Sequence, residues 1–372
     1  MDKIKKYLKE NKLFIILYSI LTIICLLVII FTYNNHSFYK DPIAKIISTK
    51  ENYISTNHLD FGYREDIYDQ EIKAKVLNGK YKGKIITIEN EYYEGEAYSQ
   101  KYNKNDEVFI TINEYNDKIT NAHIEEYKRD KYIAILITTF ILTIVMVGKL
   151  KGFLSIISVV LNIIIFNTIA FINTKGISLP ILSFIGAIIF SCICLSMVSG
   201  FNKKTIASIS SSIVGVTITM LISLLVIHIT NYSGVRFEHM ELLTRPYEGI
   251  FISEIILGGL GAIMDISISI ASSLNELIEK DAKIKTKSLI KSGFAIGKDI
   301  MSTMINVLFF TYICTIIPNL TIFFRNGVNL NSLINEYISL EMTRALTGAI
   351  GITITIPIAI YITVFMYKRR LK

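Results

Sequence analysis

The sequence predicts a membrane all-α bundle of about eight transmembrane helices, with a small extracellular β-barrel-like domain between helices one and two. Three observations support this fold class. Apolar residues make up 51% of the 372 residues, and basic residues flank the apolar segments. The apolar residues are also grouped in runs of roughly 20, the length that a helix needs to cross the hydrocarbon core of a bilayer.

Eight apolar segments are long enough to be transmembrane spans. In chain order they cover residues 13–33, 131–147, 153–172, 179–199, 206–230, 249–274, 296–318 and 344–367. The first span follows a basic segment, as in a signal peptide, but its apolar run is longer and no small-residue cleavage site comes after it. We therefore expect an uncleaved membrane anchor.

The distribution of lysine and arginine predicts the orientation of the spans. If the N-terminus is cytoplasmic, the short cytoplasmic segments contain most of the basic residues: Lys149, Lys151, Lys203, Lys204, Lys280, Lys283, Lys285, Lys287, Lys291, Lys368, Arg369, Arg370 and Lys372. The opposite short loops contain only Lys175, Arg236, Arg245 and Arg325. This is the usual excess of positive charge inside. An even number of spans then places both termini in the cytoplasm.

This topology divides the chain into three regions. Residues 1–33 form a basic cytoplasmic N-terminus and the first helix, residues 34–130 an extracellular β-rich domain, and residues 131–372 a seven-helix transmembrane domain with a cytoplasmic C-terminus. In the extracellular region, residues 71–77, 84–90 and 107–114 have strand-like patterns separated by turn residues. We expect an OB-like or SH3-like barrel. The part up to about residue 67 is expected to be looser or helical.

Several functional classes are disfavoured by composition and spacing. The net charge of +8 lies at the ends of apolar spans, so no nucleic-acid partner is expected. Cys25, Cys192, Cys194 and Cys314 lie inside apolar spans without zinc-type spacing, and His36, His58 and His123 are scattered. The histidines are expected to be exposed or in turns. We therefore expect no metal, and the sequence suggests no cofactor. No phosphate-binding loop motif is present.

Two carboxylates lie inside otherwise apolar spans, Asp265 in span six and Asp299 in span seven. A charged side chain at membrane depth costs at least about 2.5 kcal/mol, so it usually faces a partner, a bundle interior or a water-filled path. Helical spacing places other polar groups on the same faces: Ser269, Ser272 and Glu276 with Asp265, and Ser302, Thr303 and Asn306 with Asp299.

These two polar faces have two interpretations. In the first, they line a path on which the carboxylates bind a coupling ion or a cationic group of a solute. In the second, they hold helices together, with Lys298 either neutralising one acid or extending to the interface. We expect Glu341 and Arg344 to form an intrahelical pair and Glu254 to be interfacial. Small residues are expected to allow close helix packing at Gly258, Gly259, Gly261 and Gly297.

Two motifs around these acids resemble the YibE/F-like family of bacterial multi-spanning membrane proteins. The first runs from Gly259 through Asp265 to Ser272, and the second from Ser292 through Asp299 to Asn306. Lys298 stands where that family usually has arginine. The resemblance extends over essentially the whole chain. It implies a permease-type protein of the bacterial cell membrane and does not identify a substrate.

The leading hypothesis for function is therefore a permease or secondary transporter with the lipid bilayer and a small solute or ion as partners. The alternative is a non-transporting accessory or sensor protein of the cell envelope that binds a protein partner through its extracellular domain. An intramembrane aspartyl protease is disfavoured, because neither aspartate lies in the required G-x-G-D sequence. We expect no enzymatic activity.

Overall fold

The computed structural model describes residues 12–58, 64–95, 99–115, 118–229, 247–334 and 338–368. The chain divides into two units, Met1–Leu150 and Lys151–Lys372. The first unit contains helix α1, a five-stranded sheet and the beginning of helix α2, and the second contains the remaining helices. Arg236 and Arg245 lie outside the described residues, as do most of the basic residues at the chain ends: Lys3, Lys5, Lys6, Lys9, Arg369, Arg370 and Lys372.

Within the described ranges, seven helices are long and apolar enough to cross a membrane. They are α1 (Lys12–Asn34), α2 (Asp130–Asn173), α3 (Leu179–Ser199), α4 (Lys203–Ile229), α5 (Tyr247–Lys280), α6 (Thr286–Arg325) and α8 (Ser339–Lys368). A four-residue helix α7 (Leu330–Leu333) precedes α8. Their positions agree with the apolar spans of the sequence to within a few residues at most ends.

Two differences from the predicted spans concern α2 and α6. Spans two and three both lie in the 44-residue α2, so the long apolar helices among the described residues number seven and not eight. Lys149 has φ 51° and ψ −130° inside α2, so the helical path is interrupted there. Span seven was predicted to end at Pro318, but α6 continues through this proline to Arg325.

The extracellular region predicted from the sequence forms one antiparallel sheet. Its strands are β1 (Ile43–His58), β2 (Arg64–Val76), β3 (Ile85–Tyr93), β4 (Glu107–Tyr115) and β5 (Lys118–Tyr127), in the order β3-β2-β1-β4-β5. The three segments predicted as strands are confirmed. The expectation of a looser or helical part before residue 67 holds for the short 3-10 helix His36–Phe38 but was wrong for residues 43–58, which form β1, the longest of the described strands at 16 residues.

The sheet is open, so the prediction of a closed barrel was wrong. The long strand β1 pairs with β2 from Ala44 to His58, whereas it pairs with β4 only over Ile43–Lys45. In the described chain the edge strands β3 and β5 have no ladder between them. The sheet nevertheless has a hydrophobic core, which includes Ile46, Ile72, Ile88, Val108 and Ile110. Gly79, at φ 74°, allows the tight turn between β2 and β3.

The second unit is a helical bundle in which small residues allow close packing. A Cβ atom added at Gly259 on α5 would lie 3.6 Å from the Cα atom of Gly348 on α8. Ser208, Ser212, Gly215 and Thr219 of α4 are buried. The three hydroxyl groups each donate to the carbonyl oxygen four residues earlier in α4, so these polar groups are satisfied inside the bundle.

Candidate functional site

Asp265 lies on the exposed side of α5. Its neighbours Ile263 and Ile266 are buried in the bundle, whereas Asp265 itself is exposed. Within the described part of the chain, the structure records no hydrogen bond or ion pair for this carboxylate. The section of α5 between Glu254 and Glu276, where Asp265 is the only ionisable residue, therefore presents this acid at its surface.

Asp299 lies on the exposed side of α6. The opposite side of this helix packs on α8, where a Cβ atom added at Gly297 would lie 2.5 Å from Cγ2 of Ile356. Ser302, Thr303 and Asn306 are exposed like Asp299. We call these four residues the α6 polar face. Among the residues that the structure describes, their side chains have no recorded hydrogen bond or ion pair.

An open groove of about 500 Å³ runs along the same side of α6. Three residues of the α6 polar face, all except Asp299, form part of its wall, and apolar or weakly polar side chains form the rest. Its lining includes Ser302, Thr303, Asn306, Phe310, Thr311 and Cys314. The groove therefore combines hydroxyl and amide groups with an aromatic ring.

Contacts between α5 and α6 show which parts of the two helices are adjacent. Gly258 of α5 lies against the Tyr312 side chain of α6, and a Cβ atom at Gly297 of α6 would lie 3.6 Å from Cδ1 of Ile270 on α5. The helices are thus antiparallel. Asp265 lies between the two contacts on α5, and the α6 polar face lies between them on α6. Both acids belong to the same section of the bundle.

The other residues selected from the sequence occupy different environments. Ser269 and Ser272 are partly buried on α5, and the exposed Glu276 pairs with Lys280. A Cβ atom added at Gly258 would collide with the Tyr312 hydroxyl, and Gly259 and Gly297 have close neighbours as described above. Gly261 differs from these three glycines, because a Cβ atom there would meet nothing within 4 Å.

A second charged cluster joins α5 and α8. The guanidinium group of Arg344 donates to Glu341 on its own helix and to Glu254 on α5. Arg344 also lies over the Phe251 ring, 5.4 Å from its centroid, and its side chain is only 11% exposed. The intrahelical pair predicted from the sequence is confirmed. The partnership with Glu254 had no sequence signal, because 90 residues separate the two positions.

A third cluster lies in the first unit, around Lys128. This fully buried side chain donates to the Thr32 carbonyl oxygen at 2.8 Å and to the Asp130 carboxylate at 2.9 Å. Asn35 and Tyr39 also donate to Asp130. Burial, and then the neighbouring Asp130 carboxylate, raise the pKa of Tyr39 above its usual range. No motif or spacing in the sequence pointed to Lys128.

His36 belongs to the edge of the same cluster. Its Nε2 atom lies 3.0 Å from Glu107, and its side chain is 19% exposed. The sequence predicted exposed or turn histidines. His36 does lie in a 3-10 turn, His36–Phe38, but its ring is largely covered.

The remaining groups to consider are the cysteines and any side chains that could bind a metal ion. In the described residues, no cluster of three or more histidine, cysteine, aspartate or glutamate side chains has the geometry to hold a metal ion. Cys194 accepts hydrogen bonds from Ser158 and Asn162, so it connects two helices of the second unit.

Comparison with known protein families places these clusters in context. Residues 136–369 match the family described as YibE/F-like protein, and residues 37–127 match the YibE/F family N-terminal domain. The second match coincides with the sheet, and the first contains Asp265, the α6 polar face and the Arg344 cluster. No curated protein and no solved structure matches the chain. Since the two matches cover most of its length, the chain belongs to the YibE/F-like family.

Proposed function

We propose that this protein is a permease of the bacterial cell membrane in which Asp265 binds a coupling ion or a cationic group of the solute. The observation that supports this proposal is the exposure of Asp265 on an apolar helix, without a recorded cationic partner in the described chain. A carboxylate in such a place is costly against lipid, so a water-filled path beside it is favoured.

The α6 polar face supplies further groups for the same path. Carboxylate, hydroxyl and amide oxygens are the ligands that hard cations prefer. Asp299, Ser302, Thr303 and Asn306 provide all three types in the section of the bundle that contains Asp265. A proton or a small alkali cation therefore suits this site as coupling ion. No catalytic role is assigned to either aspartate.

The proposed topology has eight crossings with both termini in the cytoplasm. Helix α2 is interrupted at Lys149, and each part of it contains roughly 20 residues, enough for one crossing. The basic residues Lys149 and Lys151 lie at this interruption, which favours a cytoplasmic position for it. Two crossings in α2 and one in each of the other six long helices give the even number.

Flux measurements on the purified full-length protein in liposomes test the transport proposal. The panel contains monovalent and divalent cations, protons and cationic metabolites. We expect at least one saturable flux, and we expect Asp265→Asn to abolish it at unchanged protein level. Asp281→Asn is the matched control, because Asp281 is exposed just after α5. Equal flux in the wild type and Asp265→Asn would contradict the role of Asp265.

A second candidate function is that of an accessory or sensor protein that binds an envelope partner through the sheet. This candidate is favoured by an open groove of about 790 Å³ beside β4, lined by the aromatic rings of Tyr39, Tyr81 and Phe109. Glu125 and Glu126 add negative charge at its rim. Its test is cross-linking of the full-length protein to envelope proteins, with and without Glu125→Lys and Glu126→Lys. A saturable partner that the two substitutions remove supports this function.

A further inference from the structure

The exposed side of α6 carries a longer stripe than the four polar residues alone. Asp299, Thr303, Asn306, Phe310 and Cys314 recur at intervals of three or four residues, so they form one line along the helix. All five are exposed. We call this line the α6 stripe. It lies opposite the side of α6 that packs on α8.

We propose that the α6 stripe is an interface between two copies of this chain, related by a two-fold axis along the membrane normal. The proposal requires that α6 lies in the bilayer, as proposed above. It does not depend on transport. It also goes beyond the proposed path, since it assigns a protein partner to a surface that the second unit leaves open.

The polar groups of α6 favour a covering protein over lipid. Hydroxyl groups in apolar helices usually donate to a carbonyl oxygen of the preceding turn, as Thr311 does to Val307. Ser302 and Thr303 have no such bond recorded within the described ranges. Close packing of small residues and hydrogen bonds between helices both contribute to helix association in a bilayer. A neighbouring helix with matching groups would satisfy this face.

A second copy is the partner that matches this face best. Copies inserted in the same orientation bring identical residues to the same depth about the two-fold axis. The Asn306 amide both donates and accepts, so it complements itself across such an axis. The open groove beside it accommodates a large side chain such as the partner's Phe310.

Charge complementarity points to the same partner. Lys298 and Asp299 are adjacent, both are exposed, and neither has an ion pair recorded in the described chain. Consecutive residues lie about 100° apart around a helix, so Lys298 flanks the α6 stripe. In the proposed dimer its long side chain reaches across to the partner's Asp299, and the converse pair forms as well. The interface thus gives Asp299 a cation and assigns the α6 polar face to the dimer contact, so that in the dimer the proposed path depends on Asp265 of α5 and not on the groups of α6.

Cys314 provides a direct test, because it is the exposed cysteine of the α6 stripe. The variant keeps Cys314 and carries Cys25→Ala, Cys192→Ser and Cys194→Ser. A disulfide needs Cα atoms about 4.4–6.8 Å apart. The proposed interface places the two Cys314 residues opposite each other across the two-fold axis. Copper-phenanthroline oxidation in native membranes is therefore expected to give a disulfide-linked dimer of the full chain. The control is Leu225→Cys on the exposed side of α4, in a background with all four native cysteines replaced. No dimer is expected from it.

A charge exchange tests the specific contact. Lys298→Asp places four carboxylates at the interface, and we expect a several-fold lower cross-linking rate at Cys314. Combining it with Asp299→Lys restores opposite charges, and the rate should return towards that of the parent. Membrane level and thermal stability are measured for each variant, and Lys298→Gln replaces Lys298→Asp if the latter fails to accumulate.

The outcomes separate this proposal from the transport proposal. A Cys314 dimer with charge rescue supports the interface, whether or not flux is found. Equal cross-linking from Cys314 and from Leu225→Cys indicates random collision and overturns it. If Lys298→Asp lowers the cross-linking rate and the added Asp299→Lys does not restore it, the Lys298–Asp299 contact is overturned. Flux without a Cys314 dimer overturns the interface and leaves the path.

Discussion

The ammonium group of Lys128 lies 2.9 Å from the Asp130 carboxylate and 2.8 Å from the Thr32 carbonyl oxygen. One buried cation therefore joins the end of α1, the last residues of the sheet and the beginning of α2. Glu107 of β4 lies 3.7 Å away on another side of the same ammonium group. The sheet is thus attached to both helices through a network of charges that is closed to solvent at its centre.

Removing this cation should weaken the first unit strongly. Lys128→Met leaves Asp130 and Glu107 facing each other without their shared partner, and removal of one member of a buried ion pair costs about 3–5 kcal/mol. We expect a clear fall in the thermal midpoint of the full-length protein and faster hydrogen exchange in the sheet.

Lys80→Met is the matched control, because Lys80 and its partner Glu114 are 57% and 44% exposed. An exposed pair of this kind contributes about 0.2–1 kcal/mol. Equal losses in the two variants would contradict the special role of Lys128.

The pair Glu51–Lys101 predicts a pH dependence of the sheet. A hydrogen bond from Lys101 holds the pKa of Glu51 below its usual value of 4.5, and the same bond raises the pKa of Lys101 above 10.5. Since the folded pKa of Glu51 is lowered, its stabilisation is present above the unfolded pKa and is lost as the pH falls through the folded value. The stabilisation from Lys101 is present below 10.5 and is lost as the pH rises through its raised folded pKa.

The test of this pair is the stability difference between the wild type and Glu51→Gln across pH. We expect a difference of about 0.2–1 kcal/mol near neutral pH, as for other partly exposed pairs. It should begin to decrease as the pH falls below 4.5 and disappear once the pH is below the lowered folded pKa of Glu51. Hydrogen exchange of β1 and β2 in the full-length protein provides the measurement. A difference that grows in acid would be opposite in sign to this expectation.

The helices could be predicted from the sequence because each carries its own signal, a long apolar run. Residues 179–199 were predicted as a span, and α3 is Leu179–Ser199. Strand β1 lacked such a signal, because its outer part is exposed on both faces and shows no alternation. Whether the sheet closes depends on pairing between distant strands, which turn residues and alternation do not determine.

The candidate site, like the fold, could be predicted only where a residue carries a local signal in the sequence. Helical spacing identified Asp265 and the α6 polar face, since a carboxylate in an apolar span is visible in the sequence alone. It did not show that these groups lie on the outside of the second unit. Lys128 and Glu254 were missed as cluster members because their partners are distant in the chain or are backbone atoms. Such partnerships depend on tertiary packing.

Packing between α6 and α8 is expected to be sensitive at Gly297. A Cβ atom there would lie 2.5 Å from Cγ2 of Ile356, an atom held close to the backbone of α8. Gly297→Ala should therefore destabilise the bundle by about 1–3 kcal/mol, as overpacking does elsewhere. Ile356→Ala removes the colliding atom but costs about 2–5 kcal/mol by itself, because Ile356 is buried. The double variant should therefore lose less stability than the sum of the two single losses. Thermal stability in detergent, followed by size-exclusion chromatography, measures both effects.

Gly261 provides the control for this experiment. A Cβ atom there meets nothing within 4 Å, and alanine favours helix by about 1 kcal/mol relative to glycine. Gly261→Ala should therefore leave the bundle unchanged or slightly more stable. If Gly297→Ala behaved in the same way, the close approach of α6 and α8 would not be a constraint on this position.

We expect replacement of Arg344 by an apolar residue or by lysine to lower the stability of the bundle. Its guanidinium group donates to Glu341 and Glu254 at once, which a planar group with several donors does better than a single ammonium group. Arg344→Leu leaves two carboxylates without their cation between α5 and α8. Because Glu254 is 40% exposed, the expected cost lies between that of an exposed pair, about 1 kcal/mol, and that of a fully buried pair, about 3–5 kcal/mol. Arg344→Lys keeps the charge but should recover only part of this, because one ammonium group does not reproduce both contacts and the position over Phe251. The triple variant Arg344→Leu, Glu341→Gln, Glu254→Gln removes all three charges and should be more stable than Arg344→Leu alone. If thermal unfolding ranked the triple variant below the single one, the loss would come from packing rather than from unpaired charge.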